Sequence, residues 1–199
     1  MHHVLIGIGP ETHLKYKGLK TILNKPGVGS NLQDHIMIVI DGVAENSERL
    51  GFNPFQGANP LHYFTWFTSN PYNGPLGDAS LGVGAHFHTP FGNDPYKRPE
   101  IQLASVPFFT LFDWGMYAEL LGLSDEHISL NAKEMGKDGV TFVPILLRPK
   151  SMGTIRLASS NYQDHPIIDP QYLKHPDDVK TLVEALKISK NVLDSKHFK

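Results

Sequence analysis

Cysteine is absent from this 199-residue chain. Its absence excludes disulfide scaffolds, cysteine-ligated zinc, iron–sulfur clusters and thiol catalysis. An excess of charge of one sign is also lacking, because 18 lysines and arginines stand against 20 aspartates and glutamates. The resulting formal net charge of −2 predicts neither a nucleic-acid-binding surface nor a surface for anionic membranes.

Long hydrophobic runs are missing as well. The longest apolar run lies near Val140–Leu147, and Pro144 interrupts it. No stretch approaches the roughly 20 apolar residues that cross a bilayer, and residues 1–25 do not combine a basic region with an apolar one, as a secretory signal does. Hydrophobic residues make up 40% of the chain and charged residues 19%, which is typical of a globular domain.

Two helices are indicated by their start signals, a proline and carboxylates in the first turn. The first is predicted to run from Pro10 to about Lys17, where a glycine follows. The second is predicted to start within His175–Asp178 and to reach about Ser195. Its buried face is predicted from the i, i+3, i+4, i+7 pattern of Val179, Leu182, Val183, Leu186 and then Lys190 or Leu193.

Strands are indicated by alternating, β-branched stretches. His35–Val43 predicts one strand, whereas a proline and two glycines mark 25–31 as a loop. A short aromatic helix is predicted over Leu61–Thr68. Further strands are predicted at Val83–His88, Glu100–Pro107, Val140–Leu147 and Thr154–Ala158. The predicted fold class is α+β, with mostly antiparallel strands and helices at both ends.

Glycine pairs occur at three places and begin like the dinucleotide-binding fingerprint G-x-G-x-x-G. None of them completes it, because Thr12, Leu32 and Phe87 stand where the third glycine would be. These pairs are therefore interpreted as turn glycines rather than phosphate-binding loops. A serine nucleophile is not supported either, since no G-x-S-x-G is present and Ser80 lies in an unrelated context.

His86 and His88 lie two residues apart in a predicted strand, so both imidazoles would share one face. Two histidines could hold zinc or copper if carboxylates joined them. No third ligand stands at a diagnostic spacing, so no metal site is predicted. The pair is interpreted as polar residues on a strand face, and a metal-dependent enzyme stays a minor alternative.

The segment Asn31–His35 concentrates amide, carboxylate and imidazole groups between a glycine turn and a predicted strand. Polar side chains at such a junction cap local structure or line a ligand site, and spacing alone leaves both interpretations open. Two aromatic groups also allow two interpretations, Tyr63–Phe67 and Phe108–Trp114. They are typical of a core and could also line an apolar substrate pocket.

Several blocks together resemble one known family. Ile6–Pro10 and Pro26–His35 stand near the start of the chain, and Leu146–Leu157, Pro166–Leu173 and His175–Asp178 stand near its end. In sequence, order and spacing these blocks resemble the glucose–methanol–choline (GMC) family of FAD-dependent oxidoreductases. Leu76, Gly77 and the strand-rich middle resemble the arthropod, glucose-dehydrogenase-like branch.

The resemblance implies a domain organisation. Residues 1–35 are expected to be the tail end of an FAD-binding α/β domain, and residues 36–150 most of a substrate-binding domain built on a mainly antiparallel sheet with flanking helices. Residues 151–199 are expected to begin the C-terminal segment of the family. The part of the family that carries the fingerprint for the FAD pyrophosphate has no match in this chain.

The resemblance also implies a function and a site. Asn31, Leu32, Asp34 and His35 are expected to lie beside FAD, and no catalytic residue is predicted, because the family's catalytic histidine matches no position here. The chain is interpreted as an internal fragment of an enzyme that oxidises the CH–OH group of an alcohol or sugar by hydride transfer to flavin, inactive by itself. The alternative is a truncated, non-catalytic homologue that acts as a binding or structural module. The compartment is left open, with secretion as one option that the resemblance suggests, and so are the substrate, the electron acceptor and the oligomeric state.

Overall fold

The computed structural model describes residues 2–43, 68, 83–92, 94–106, 122–134 and 139–196. The helices of these residues are α1 (His2–Leu5), α2 (Glu11–Tyr16), α3 (Asp125–Leu130), followed by a 3-10 turn at Ala132–Glu134, and α4 (Pro176–Leu193). Their strands are β1 (Ile8–Gly9), β2 (Leu23–Asn24), β3 (Ser30–Leu32), β4 (Ile36–Met37), β5 (Ile40–Val43), β6 (Val83–Phe87), β7 (Ile101–Val106), β8 (Gly139–Leu146), β9 (Gly153–Arg156) and β10 (Ile167–Asp169).

The chain divides into two compact units, the first formed by Met1–Ile36 with Leu146–Thr181 and the second by Met37–Ile145 with Leu182–Lys199. The described elements mix helices with antiparallel sheet, which agrees with the predicted α+β class. The assignment of 1–35, 36–150 and 151–199 to three family segments stays a prediction. The aromatic helix predicted over Leu61–Thr68 lies outside the described residues except for Thr68 itself.

The first unit is built on a three-stranded antiparallel sheet in the order β10–β9–β3. β9 is central, so Thr154 lies opposite Asp169 on one side and Ser30 on the other. β1 and β2 form a separate parallel pair. Three buried side chains, Val4, Leu14 and Leu157, form an apolar cluster beside this sheet, against which Leu5, Leu19 and Val28 pack. Each fully buried side chain of this size contributes roughly 1.5–3 kcal/mol.

The second unit contains a five-stranded sheet in the order β4–β8–β7–β6, with β5 also paired to β8. β5 and β8 are antiparallel, as are β6 and β7. β7 and β8 carry most of the buried apolar side chains of the described part of this sheet, among them Ile101, Leu103, Val106 and Phe142. The predicted strands over Val83–His88, Glu100–Pro107 and Val140–Leu147 are therefore confirmed to within one or two residues at each end.

The single strand predicted over His35–Val43 is wrong, because β4 and β5 are separate strands. Both pair with β8, and the main-chain N–H of Ile38 donates to the carbonyl of Pro144 at 3.2 Å between them. Pro144 has no N–H to return a hydrogen bond, so the ladder is interrupted at this point. The loop predicted over 25–31 is also wrong at its end, where Ser30 and Asn31 belong to β3.

Helix α4 begins and ends close to the predicted residues, and Leu182 is buried as predicted, but two other positions of the predicted face are not. Val179 and Val183, predicted to be buried, are 41% and 45% exposed. The side chains that are buried belong to Asp178, Thr181, Leu182, Ala185 and Ser189. The polar hydrogen bonds of Asp178, described below, set the rotation of the helix, and small residues then fill the inward face. Among the described helices, none combines the length and apolar character that crossing a bilayer requires.

Candidate functional site

A tight turn and a bulged strand form the centre of the candidate site in the first unit. Hydrogen bonds from Val28 N to Lys25 O (3.1 Å) and from Ser30 N to Gly27 O (3.0 Å) close the turn. The register of β3 against β9 then shifts between Ser30 and Leu32, and the residue between them, Asn31, has a φ of 61°. A bulge of this kind redirects a side chain away from the regular strand alternation.

Gly29 allows the turn to lie directly on β9. Its φ is +71°, and a Cβ at this position would lie 2.2 Å from the carbonyl oxygen of Ile155. The main-chain N–H of Ile155 donates to the carbonyl of Gly29 at 2.8 Å. Both the left-handed backbone and the close approach therefore require glycine here.

The guanidinium group of Arg156 stabilises the same turn by hydrogen bonds. Nη1 donates to the carbonyls of Val28 (3.2 Å), Gly29 (2.5 Å) and Ile155 (3.2 Å), and Nη2 donates to the hydroxyl of Ser30 at 2.9 Å. The planar arrangement of guanidinium donors suits several acceptors at once, which the single point charge of a lysine does not. Arg156 thus fixes the backbone that leads into Asn31.

Helix α2 holds the end of β9 from the other direction. The main-chain N–H of Leu157 donates to Nε2 of His13 at 3.1 Å, and Lys17 Nζ donates to the carbonyl of Ala158 at 2.6 Å. Nε2 must therefore be unprotonated. Burial first, and then the positive charges of Arg156 and Lys17, lower the pKa of His13 from its ordinary value of 6.5.

The lowered pKa of His13 predicts a pH-dependent stability. Because unfolded His13 titrates near 6.5 and the folded group titrates lower, its contribution is complete above 6.5 and is lost as the pH falls through the folded pKa. His13→Gln keeps an acceptor without a titrating proton. We expect wild type to lose stability relative to His13→Gln as the pH falls from about 7 to about 5, measured by denaturant unfolding at each pH. His165→Gln, at an exposed histidine, should not show this pH-dependent difference, and a constant difference for His13→Gln would contradict the assignment.

The structure places the four predicted site residues on one continuous segment of the first unit. Asn31, Asp34 and His35 are exposed and Leu32 is half-buried. The carboxylate of Asp34 accepts a hydrogen bond from the hydroxyl of Tyr172 at 2.5 Å. Within the described parts of the chain, the side chains of Asn31 and His35 make no hydrogen bond. Two polar groups are thus left available to a ligand, while the third is engaged. The assignment of the four residues to a cofactor stays a prediction.

Arg156 contacts the turn directly before this segment and Tyr172 contacts the segment itself, although the sequence assigned them no role. Arg156 lies 126 residues from Ser30, and Tyr172 lies 138 residues from Asp34. No local spacing pattern reports contacts at such separations. The only available signal was that both residues fall within the two C-terminal blocks of the family resemblance.

His86 and His88 do not form a metal site with other described residues. His86 is exposed, whereas the two ring nitrogens of His88 lie 3.1 Å from a carboxylate oxygen of Glu100 and 3.0 Å from the carbonyl of Lys97. Burial works to raise the pKa of Glu100, but hydrogen bonds from Thr89 and His88 hold it below the ordinary value. The described residues contain no group of three potential metal ligands. The hydrogen-bond contacts of His88 with Glu100 and Lys97 hold the connection between β6 and β7.

The remaining candidates cannot be placed. Tyr63–Phe67, Phe108–Trp114, Ser80 and the pair Leu76 and Gly77 lie outside the residues that the structure describes. Their predicted roles in a core, a substrate pocket or a family branch stay predictions.

Known proteins resemble this chain along most of its length. Residues 149–199 match the family model for GMC oxidoreductase. The chain is 28% identical over 188 residues to a glucose dehydrogenase (FAD, quinone) of Drosophila melanogaster, covering 93% of this chain and 27% of the relative. It is 29% identical over 206 residues to an alcohol dehydrogenase (acceptor) of Pseudomonas putida, covering 98% of this chain and 32% of the relative. The chain thus spans less than a third of the length of these curated relatives.

The fold is also similar to part of larger solved structures. It resembles a crystal structure of formate oxidase with a TM-score of 0.68 and 21% identity, covering 98% of this chain and 35% of that chain. At this identity the similarity concerns the fold alone. The family match at 149–199 agrees with the predicted GMC resemblance, whereas membership of the arthropod branch stays a prediction.

Proposed function

We propose that this chain forms part of an FAD-dependent oxidoreductase of the GMC type that oxidises the CH–OH group of an alcohol or a sugar. The relatives named above support this class, since one is a glucose dehydrogenase that uses FAD and quinone and another is an alcohol dehydrogenase. The arthropod glucose-dehydrogenase-like branch is proposed on the same basis, from the similarity to the Drosophila protein.

The observation that carries the proposal is the pairing of β3 with β9. These strands come from the two separate sequence blocks that carry the family resemblance, Pro26–His35 and Leu146–Leu157, and they lie side by side in one sheet. Arg156, in the second block, joins it to the first through three hydrogen bonds, to Val28, Gly29 and Ser30. Residues that are distant in sequence are thus brought to one place around Asn31, as a shared ligand site requires.

The groups on this segment fit the chemistry of FAD. The isoalloxazine ring carries carbonyl and ring-nitrogen acceptors, and adenine carries ring-nitrogen acceptors, both on flat rings with apolar faces. Asn31 and His35 offer amide and imidazole donors that no described residue occupies, and Leu32 offers apolar contact. The left-handed backbone of Asn31, with φ 61°, is a strained conformation of the kind that clusters at ligand sites.

When bound, FAD would supply the redox chemistry as the hydride acceptor. The residues of this chain would bind and orient it. Asn31 and His35 would hold the cofactor by hydrogen bonds, Leu32 would exclude water from its apolar surface, and Arg156 with Gly29 would keep the supporting backbone rigid. The proton-transferring histidine that the family resemblance implies is not assigned to any residue of this chain.

The cofactor content of the natural protein tests the proposal. We expect the protein purified from its source to release FAD on denaturation, at about one FAD per chain, as identified by chromatography. It should then oxidise members of a panel of alcohols and sugars in the presence of an artificial electron acceptor. Absence of flavin, together with no FAD binding in a titration, would reject the proposal and favour a non-catalytic binding module.

Two variants test the site within the same protein. Asn31→Gly removes the amide while keeping a residue that accepts the left-handed backbone, and His35→Ala removes the imidazole. We expect each to weaken FAD binding by about tenfold, measured by fluorescence titration. His165→Ala changes an exposed histidine outside the segment and should bind FAD as wild type does. Wild-type affinity in both site variants would remove these residues from the site.

A further inference from the structure

Left-handed backbone at residues other than glycine is concentrated at one place in the described chain. Four such residues occur, and three of them, Asn31 (φ 61°), Gln171 (φ 52°) and Leu173 (φ 58°), lie within three residues of either partner in the hydrogen bond between Asp34 and Tyr172. A bulky residue such as leucine rarely adopts this conformation. It persists where surrounding contacts enforce it, commonly at functional sites.

The turn around Tyr172 is held by its own set of contacts. The carboxylate of Asp169 accepts from the main-chain N–H of Gln171 at 3.2 Å and from its side-chain amide at 3.0 Å. Lys174 donates to the side-chain oxygen of Gln171 at 2.8 Å and to its main-chain carbonyl at 3.2 Å. Gln171 is therefore fixed through both its backbone and its side chain. The result is a defined position for Tyr172, the next residue along the chain.

In that position Tyr172 forms a hydrogen bond with Asp34. An ionised carboxylate only accepts hydrogen bonds, so the phenol donates, over 2.5 Å. The bond to Asp34 raises the pKa of the Tyr172 phenol above its ordinary value of 10.0. A phenol with the ordinary value is already protonated at neutral pH, so the hydroxyl donates throughout the neutral range, and the raised pKa extends this to higher pH. Hydrogen bonds to a charged acceptor are among the stronger ones.

We propose that Tyr172 is a positioning residue for the FAD site, and that Asp34 serves the site as the acceptor for Tyr172 rather than as a contact to the cofactor. The pair fixes the end of the segment Asn31–His35, as Arg156 fixes its beginning. Asn31 and His35 are then presented together to the ligand. This inference rests on the proposed function and adds a residue 138 positions away from the segment that it supports.

A double-mutant cycle on FAD binding tests the pair. In the natural protein with its flavin removed, Tyr172→Phe and Asp34→Ala are each expected to weaken FAD binding by about tenfold. The double variant should be no weaker than either single variant, because each change breaks the same hydrogen bond. A pH titration of tyrosine absorbance gives a readout without FAD, since Asp34→Ala should lower the pKa of one tyrosine.

Tyr162→Phe is the matched control. Tyr162 is 78% exposed and has no carboxylate partner for its hydroxyl among the described residues, so this variant should bind FAD as wild type does. Wild-type affinity in Tyr172→Phe, or additive losses in the double variant, would overturn the positioning role while leaving the proposed function intact. If wild-type protein itself fails to bind FAD, the proposed function falls, and this inference falls with it.

Discussion

Replacing Gly29 by alanine is expected to lower the free energy of unfolding by roughly 3–5 kcal/mol. The left-handed backbone, with φ +71°, costs an alanine about 1–2 kcal/mol. The new Cβ would also lie 2.2 Å from the carbonyl oxygen of Ile155, so the turn must move away from β9. That movement breaks the hydrogen bond from Ile155 to Gly29 and contacts of Arg156, each worth about 1 kcal/mol.

Gly27→Ala is the control for this prediction, because Gly27 belongs to the same turn. A Cβ there would meet nothing within 4 Å, and its φ is not left-handed. Stability should therefore be unchanged or rise by about 0.4–1 kcal/mol, as the unfolded chain loses freedom. Denaturant unfolding followed by circular dichroism measures both variants. Equal stability of the two would show that the close approach of Gly29 to β9 is not needed for folding.

Asp178→Ala is expected to destabilise the protein by roughly 3–5 kcal/mol. The buried carboxylate, in a residue only 2% exposed, accepts from the main-chain N–H groups of Lys150 (2.8 Å) and Ser151 (2.8 Å) and from the hydroxyl of Ser151 (2.6 Å). Alanine leaves these donors without a partner, at about 1–3 kcal/mol for each buried group. It also removes a negative charge from the first turn of α4, where the helix dipole favours it.

The neighbouring Asp177 provides the matched control. Its exposed carboxylate forms an ion pair with Lys150 at 2.7 Å, and exposed pairs of this kind contribute little to stability. Asp177→Ala should therefore shift the thermal unfolding midpoint far less than Asp178→Ala. An equal shift for the two variants would mean that both acids act through the helix dipole, and that the buried hydrogen bonds of Asp178 add nothing.

Local patterns in the sequence predicted α2, α4 and the strands β6, β7, β8 and β9. The apolar alternation of β7 and β8 and the first-turn acids of α4 depend on residues a few positions apart, so they can be recognised without knowing the fold. The prediction failed where a partner elsewhere in the chain decided the outcome. Val179 and Val183 are exposed because Asp178 anchors α4 to the chain at Ser151. No periodicity records that contact.

The split of the predicted strand His35–Val43 has the same origin. Taken alone, this segment has the composition of one continuous strand. It is interrupted because β8 lies beside it and contributes Pro144, which lacks an N–H. Which strand would lie there could not be read from the segment itself.

For the candidate site, the sequence by itself determined the chemical groups and their grouping. Asn31, Leu32, Asp34 and His35 are consecutive or nearly so, and their amide, carboxylate and imidazole groups followed directly from the residue types. The family resemblance added the expectation of FAD. These conclusions require no knowledge of which strands pair.

Only the tertiary structure decided how those groups are used. Pairing of β3 with β9 brings Arg156 to the turn before Asn31, and the turn after β10 brings Tyr172 to Asp34. The physical reason is that a hydrogen bond acts over about 3 Å, whereas these partners are separated by more than a hundred residues of chain. A separation of that size along the chain leaves no spacing pattern in the sequence. Which of these side chains is hydrogen-bonded within the described chain, and which is not, is therefore a property of the folded protein.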